Sequence, residues 1–241
     1  MKLLIDIGNT ALKWAQAQDG TLTERGAIPH DGAPASALAA LPSASVDAVW
    51  IAHVTGATHE AALIDAVRAQ FGIAPQFARS TCDWQGLRNA YREPQRLGVD
   101  RWLAMIASWH AQRSAACVVD AGTALTADLI AADGTHRGGL IAAGLATQQR
   151  ATLGATRFAT HNIDATAYRA DLGDDTESCV RQGALLACLG AIDRAAALAG
   201  SGAQLLIAGG DAPLLLPQLD ARWQHRPLLV LEGLLALATA P

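Results

Sequence analysis

Asp6-Ile7-Gly8-Asn9-Thr10 sets a carboxylate, a residue without a side chain and two hydrogen-bonding side chains within five positions. That grouping suits a phosphate. Gly8 lets an anion approach the backbone, and successive turn N–H groups form an anion-binding nest to which Asn9 and Thr10 add donors. Asp6 would repel phosphate unless a cation intervened, so its expected partner is Mg²⁺. Lys13, three residues beyond Thr10, is placed to offset charge on the β- and γ-phosphates. Asp120-Ala121-Gly122-Thr123 offers the same features again. A third group runs Tyr91-Arg92-Glu93-Pro94-Gln95-Arg96-Leu97-Gly98-Val99-Asp100-Arg101. Pro94 and Gly98 mark a loop, and the 101–112 segment after it reads as a helix. Asp100 then sits at a helix start, either as a cap or as a base, and Arg101 beside it can fork onto a carboxylate.

These groups need strands to carry them, and the chain supplies strands twice. Residues 3–21, LLIDIGNTALKWAQAQDGT, and residues 117–135, CVVDAGTALTADLIAADGT, align without a gap at an offset of 114. The alignment superposes Asp6 on Asp120, Gly8 on Gly122 and Asp19-Gly20-Thr21 on Asp133-Gly134-Thr135. Asp-Gly between two extended runs is a hairpin signal. Each copy therefore reads as strand, turn, strand, turn, strand. Beyond them, 47–54 and 204–208 read as strands, 57–71 and 176–198 as helices, and 228–231 as a short apolar run. Two halves with one opening and alternating elements predict two similar α/β domains, 1–113 and 114–241.

The bulk composition narrows the classes. The 241 residues are 51% hydrophobic and 17% charged, which suits a packed globular chain. A net charge of −4 disfavours non-specific binding to nucleic acid, and an anionic substrate then needs a local positive site. Cys82, Cys117, Cys179 and Cys188 form no C-x-x-C pair and read as free thiols of a reducing compartment. The N-terminus meets Asp6 after three apolar residues, too early for a signal peptide or a membrane span, so a cytoplasmic protein is expected. His136 and His161 have no partner in sequence and are expected at the surface. Gly209-Gly210-Asp211 reads either as the border of a nucleoside or as a plain turn. The P-loop, Rossmann, protein-kinase and G-x-S-x-G signatures are absent from the sequence.

Taken together, D-x-G-N-T at Asp6–Thr10, L-G-x-D-R at Leu97–Arg101 and D-x-G-T-A-x-T-x-D at Asp120–Asp128 resemble the type III pantothenate kinases, and so does Gly-Gly-x-Ile-x-x-Gly at Gly138–Gly144. These belong to the acetate and sugar kinase/Hsp70/actin superfamily. The resemblance implies two ribonuclease-H-like (actin-like ATPase) domains with an interdomain cleft, a homodimer, and ATP-dependent phosphorylation of pantothenate to 4′-phosphopantothenate. It implies a divalent metal and a monovalent cation, K⁺ or NH₄⁺. By motif, Asp6, Ile7, Gly8, Asn9, Thr10, Ala11, Leu12, Lys13 and Thr123 would hold ATP. Tyr91, Gly98, Val99, Asp100, Arg101 and Thr176 would hold pantothenate, with Asp100 the proton acceptor and Asp120 the monovalent-cation ligand. Three positions depart from the family's pattern: Val99 for Ala, Ala143 for Pro, and Asp175 for Asn. A phosphohydrolase or a nucleotide-binding regulator on the same fold is the alternative.

Overall fold

Leu3, Leu4, Ile5 and Ile7 are fully buried, although neighbouring strand residues point to opposite faces. Such a run belongs in the middle of a sheet covered on both sides. In the computed structural model, which describes residues 1–42, 45–54, 59–155 and 168–240, that is where β1 (Lys2–Ile7) lies. It pairs antiparallel with β2 (Ala11–Gln18), which pairs antiparallel with β3 (Thr21–Pro29). Asp19 and Gly20, at φ 50° and 77°, make the two-residue turn between them. After the short α1 (Pro34–Leu38), β4 (Ala48–His53) runs parallel to β1 on its other side. Helix α2 (Glu60–Phe71) leads to β5 (Gln76–Phe77), parallel to β4. The sheet order is β3-β2-β1-β4-β5. Leu38, Leu63 and Val67 of α1 and α2 cover one face through Leu3, Ile5, Ile7, Val49 and Ile51. A small hairpin, β6 (Asp83–Trp84) and β7 (Leu87–Arg88), precedes α3 (Val99–Ala111).

The plan then repeats. β8 (Ala116–Ala121), β9 (Ala124–Ile130) and β10 (His136–Ala143) form an antiparallel meander. Helices α4 (Leu145–Ala155) and α5 (Thr176–Ala199) precede β11 (Gln204–Ala208), which is parallel to β8. Then come α6 (Ala212–Leu215) and β12 (Trp223–His225). The order β10-β9-β8-β11-β12 reproduces the first sheet position by position. The expected pair of ribonuclease-H-like α/β domains is therefore present. Helix α5 has the length and apolarity of a membrane span, yet it carries Arg181, Asp193 and Arg194. Its Leu185, Cys188, Leu189 and Ile192 are buried with Cys117, Val119 and Leu125 of the second sheet. All four cysteines are free, and burial pushes the Cys117 thiol up to about 12.

Three details differ from the sequence expectations. The chain forms two compact units, Met1–Gln112 with Leu228–Pro241, and Arg113–Pro227. The C-terminal segment, expected with the second domain, instead forms α7 (Leu229–Thr239) and packs on α3. An apolar run announces burial but not against which partner; here Gly233 supplies a notch for the Leu103 backbone. The ungapped repeat also slips. Asp6 faces Lys13 across β1 and β2, whereas Asp120 faces Thr126, one residue short of the offset, because the second turn is tighter. His136, expected at the surface, is buried, with Nε2 2.9 Å from Asp128 Oδ1, a bond that compensates its loss of water. His161 lies outside the described residues.

A Cβ on Gly233 would lie 1.9 Å from the Leu103 carbonyl oxygen, a rigid backbone atom. Alanine ordinarily gains about 1 kcal/mol over glycine inside a helix. Overpacking typically costs about 1–3 kcal/mol and dominates when the obstacle is backbone. Gly233→Ala is therefore expected to lower the urea midpoint of the folded chain, against the helix-propensity trend.

Candidate active site

The first carboxylate turn sits where β1 ends. Asp6 is 8% exposed and is the cross-strand neighbour of Lys13, so both occupy one face of the sheet. The Gly8 N–H donates to Ala11 O at 3.0 Å, which closes the turn, and Asn9 and Thr10 are exposed at its tip. His30 braces it from β3's end. Its Nδ1 accepts from the Gly32 N–H at 3.3 Å, so Nε2 carries the proton and donates to Gly8 O at 3.0 Å. The His30 N–H also donates to Thr10 O at 3.0 Å. No spacing in the sequence marks His30, because its partners are backbone carbonyls.

The second turn is held more tightly. The Gly122 N–H donates to Ala124 O at 3.0 Å, and the carbonyl of Thr123 accepts from Gly144 N–H at 3.1 Å and Thr147 Oγ1 at 2.7 Å. A Cβ on Gly144 would come 1.9 Å from Gly122 O, and one on Gly209 would come 2.1 Å from Ala121 O. Gly209 also has φ +95°, a region that favours glycine. The Asp211 N–H donates to Ala121 O at 2.9 Å. Gly209-Gly210-Asp211 is thus the backstop of this turn. Burial raises the Asp211 carboxyl above its ordinary range, partly offset by the Leu145 N–H. Asp120 is next to last in β8 as Asp6 is in β1, beside β11 rather than β4.

The third group assembles at the start of α3. Gly98 takes the N-cap position, so Asp100 is the second residue of the helix rather than its cap. A Cβ on Gly98 would sit 2.6 Å from Asp100 Oδ1, so the bare residue makes room for that carboxylate. Asp100 Oδ1 accepts from the Arg101 N–H at 2.8 Å. Arg101 is 6% exposed and its Nη1 donates to the Tyr91 hydroxyl at 3.0 Å. The Tyr91 N–H in turn donates to Asn89 Oδ1 at 3.0 Å. The structure therefore brings Tyr91, Gly98, Val99, Asp100 and Arg101 together.

Thr176 belongs to the second unit, at the first position of α5. It lines a 650 Å³ pocket with Gln148, Thr152, Asp174 and Cys179. Asp175, the departure from the family's Asn, is the N-cap: its Oδ1 accepts from the Ser178 N–H at 2.6 Å. That bond holds the Asp175 carboxyl below its usual range, and the helix dipole favours its charge.

Another ionic group escaped the sequence reading. His53 at the end of β4 places Nε2 3.1 Å from Glu60 Oε1, and Arg79 Nη2 lies 2.7 and 2.8 Å from the two Glu60 oxygens. The His53 ring meets the Phe77 ring edge-on at 5.4 Å. Burial holds the His53 pKa below the ordinary imidazole value, and Glu60 offsets this only in part. Its members are scattered over 27 positions of sequence with no motif. Among the described residues no cluster of three His, Cys, Asp or Glu forms a closed metal cage. A single oxygen donor such as Asp6 fits Mg²⁺, which is held by one or two carboxylates together with substrate phosphates.

Two like units, each opening with a carboxylate beside a glycine turn, define the ribonuclease-H-like, actin-like ATPase class, and solved structures share the architecture. A Baf family protein from Campylobacter jejuni matches with a TM-score of 0.62 at 20% identity, over 96% of this chain and 94% of that one. A Sinorhizobium meliloti protein described as a 2-dehydro-3-deoxygalactonokinase matches with a TM-score of 0.57 at 14% identity, over 100% and 97%. At these identities the likeness concerns fold alone. Sequence is more specific. The chain belongs to the type III pantothenate kinase family, whose profile matches residues 2–197. Type III pantothenate kinases from Nitrosococcus oceani and Thiobacillus denitrificans are each 36% identical to it, over 99% of this chain and 94% and 97% of theirs.

The His53 shift has a consequence for stability. A native pKa below the unfolded value of about 6.5 means that the folded state binds fewer protons, so stability rises with pH across that window. The contribution is complete above about pH 6.5 and is lost as pH falls below it. Urea midpoints measured from pH 7.5 down to 5 are expected to fall less steeply in His53→Asn than in the native chain.

Proposed function

We propose that this chain transfers the γ-phosphoryl group of ATP to the primary hydroxyl of pantothenate, giving 4′-phosphopantothenate and ADP, the first step of coenzyme A synthesis. One observation carries the reading: in a chain of this family, Asp100 stands at the start of α3 with the Tyr91–Arg101 pair beside it. A carboxylate next to a buried guanidinium suits an acceptor that is both an alcohol and an anion.

Phosphoryl transfer passes through a loose transition state, so the protein's work is positioning and charge neutralisation. In the proposed mechanism the span Asp6–Lys13 and Thr123 hold the triphosphate, with the turn amides and Lys13 as donors. Mg²⁺ at Asp6 would neutralise phosphate charge, and Asp120 would hold K⁺ or NH₄⁺. Tyr91, Gly98, Val99 and Arg101 hold pantothenate, and Thr176 completes its pocket from the partner subunit of a homodimer or from the second domain. The hydroxyl oxygen forms a bond to the γ-phosphorus while the bridging P–O bond breaks and its electrons leave with ADP. Asp100 takes the hydroxyl proton. An ordinary carboxylate is a weak base for an alcohol, so that proton moves late, as the new bond forms. The reaction belongs in the cytoplasm, where both substrates are available.

ADP release coupled to a reporter tests the reading, with Mg-ATP, with and without pantothenate, in K⁺ and then Na⁺ buffer. Release that requires pantothenate and is stronger in K⁺ is expected; release without pantothenate contradicts it. Asp100→Asn is expected to lower kcat by about 10²–10⁴ with little change in nucleotide affinity. Full activity in that variant would remove Asp100 from its role.

A further inference from the structure

His30 touches the first turn twice, once through its backbone and once through its ring. It stands one position beyond the pairing of Ala11 with Pro29, where β2 begins and β3 ends. Its N–H donates to Thr10 O at 3.0 Å and its Nε2 to Gly8 O at 3.0 Å. The Gly32 N–H, 3.3 Å from Nδ1, occupies the other ring nitrogen and so keeps Nε2 the donor. One residue therefore holds two carbonyls of the turn to the β3 side.

That changes how the turn closes. A four-residue turn ordinarily bonds the N–H of its last residue to the carbonyl of its first. Here those residues are Ala11 and Gly8, and the closing bond runs from the Gly8 N–H to Ala11 O at 3.0 Å. Among the described residues the Gly8 carbonyl takes its bond from the His30 ring rather than from the Ala11 N–H. A trans peptide sets its N–H opposite its carbonyl. With the Thr10 carbonyl turned to His30, the Ala11 N–H points away from β3 and into the turn. With the Gly8 carbonyl turned the same way, the Asn9 N–H points away from the ring. Turn amides that converge in this manner bind anions.

We propose that His30 is a positioning residue for the nucleotide: by holding the Gly8 carbonyl it keeps the turn from closing and leaves the Ala11 N–H to a phosphate oxygen. Without the ring, the Ala11 N–H is the donor placed to take that carbonyl, and a phosphate would have to break the new bond before using the amide. The inference rests on the reading of Asp6–Lys13 as the turn that holds the ATP phosphates. It adds a residue that touches no substrate and acts only through Gly8.

The test compares the native chain with His30→Ala, His30→Asn and His30→Gln, with thermal melts to confirm folding. Gln carries an amide nitrogen about as far along its side chain as Nε2 and can donate to Gly8 O, whereas Asn reaches only as far as Nδ1. Titration calorimetry gives Kd for Mg-ATP, and hydrogen exchange of the Ala11 amide is followed without nucleotide. Loss of a bond to the charged phosphate is expected to weaken Mg-ATP binding about tenfold in His30→Ala and His30→Asn. His30→Gln should recover most of that loss. The Ala11 amide should exchange more slowly in His30→Ala than in the native chain, because it has closed onto Gly8 O. In steady state the loss should appear in KM for ATP and not in KM for pantothenate. Should His30→Ala not fold, the contrast between Asn and Gln carries the test. Native affinity in His30→Ala or His30→Asn overturns the inference, as does a loss that Gln fails to recover. A native chain that binds no Mg-ATP defeats the reading of the phosphate turn itself, and the inference falls with it.

Discussion

A turn that must carry a carboxylate and yet expose bare backbone is the constraint on which this structure depends. At Gly8 and at Gly122 the chain reverses between two strands, and the glycine N–H closes the turn onto a carbonyl two or three residues ahead. Asp6 and Asp120 stand next to last in the preceding strands, each flanked by an antiparallel neighbour and a parallel one. That setting fixes the direction of each carboxylate through the sheet rather than through the loop. A group placed by a sheet is held more precisely than one placed by a flexible segment.

The two copies solve the constraint differently. The first turn is one residue longer and is braced by a side chain, His30, whose tautomer follows from its Gly32 contact. The second is shorter and is braced by backbone, with Gly144 and Gly209 so close that neither could carry a Cβ. Side-chain bracing leaves the tip of the first turn exposed, at Asn9 and Thr10. Backbone bracing fixes the carbonyls of Ala121 and Thr123, which have no freedom to reorient. An exposed, donor-rich turn suits the phosphate role proposed for Asp6–Lys13.

Much of this was legible in the sequence because it rests on local rules. The Asp-Gly turns, the apolar runs of β1 and β8, and the Asp-x-Gly pairs are properties of a few adjacent residues, and they led to the right fold. Asp100 was legible as a helix start for the same reason, although the cap proved to be Gly98, which had read as a loop residue. What escaped depends on tertiary neighbours. His30 bonds to carbonyls, His136 finds Asp128 across a strand pair, and His53, Glu60 and Arg79 meet only once β4, α2 and β5 are in place. The C-terminal helix shows the same limit. Its apolar residues demand burial, while the surface that buries them is set by the Gly233 notch against Leu103. Asp175, a carboxylate where the family has an amide, is legible as a helix start only once α5 is in place: it is the N-cap and takes the Ser178 N–H.

The account stands or falls on where the γ-phosphoryl group goes. Phosphorus-31 NMR of the purified chain with Mg-ATP and pantothenate in K⁺ buffer reads this directly. A new phosphomonoester resonance growing in step with ADP, and absent when pantothenate is omitted, is the result the account predicts. Inorganic phosphate growing with ADP, at the same rate with or without pantothenate, would contradict it and make the chain a hydrolase.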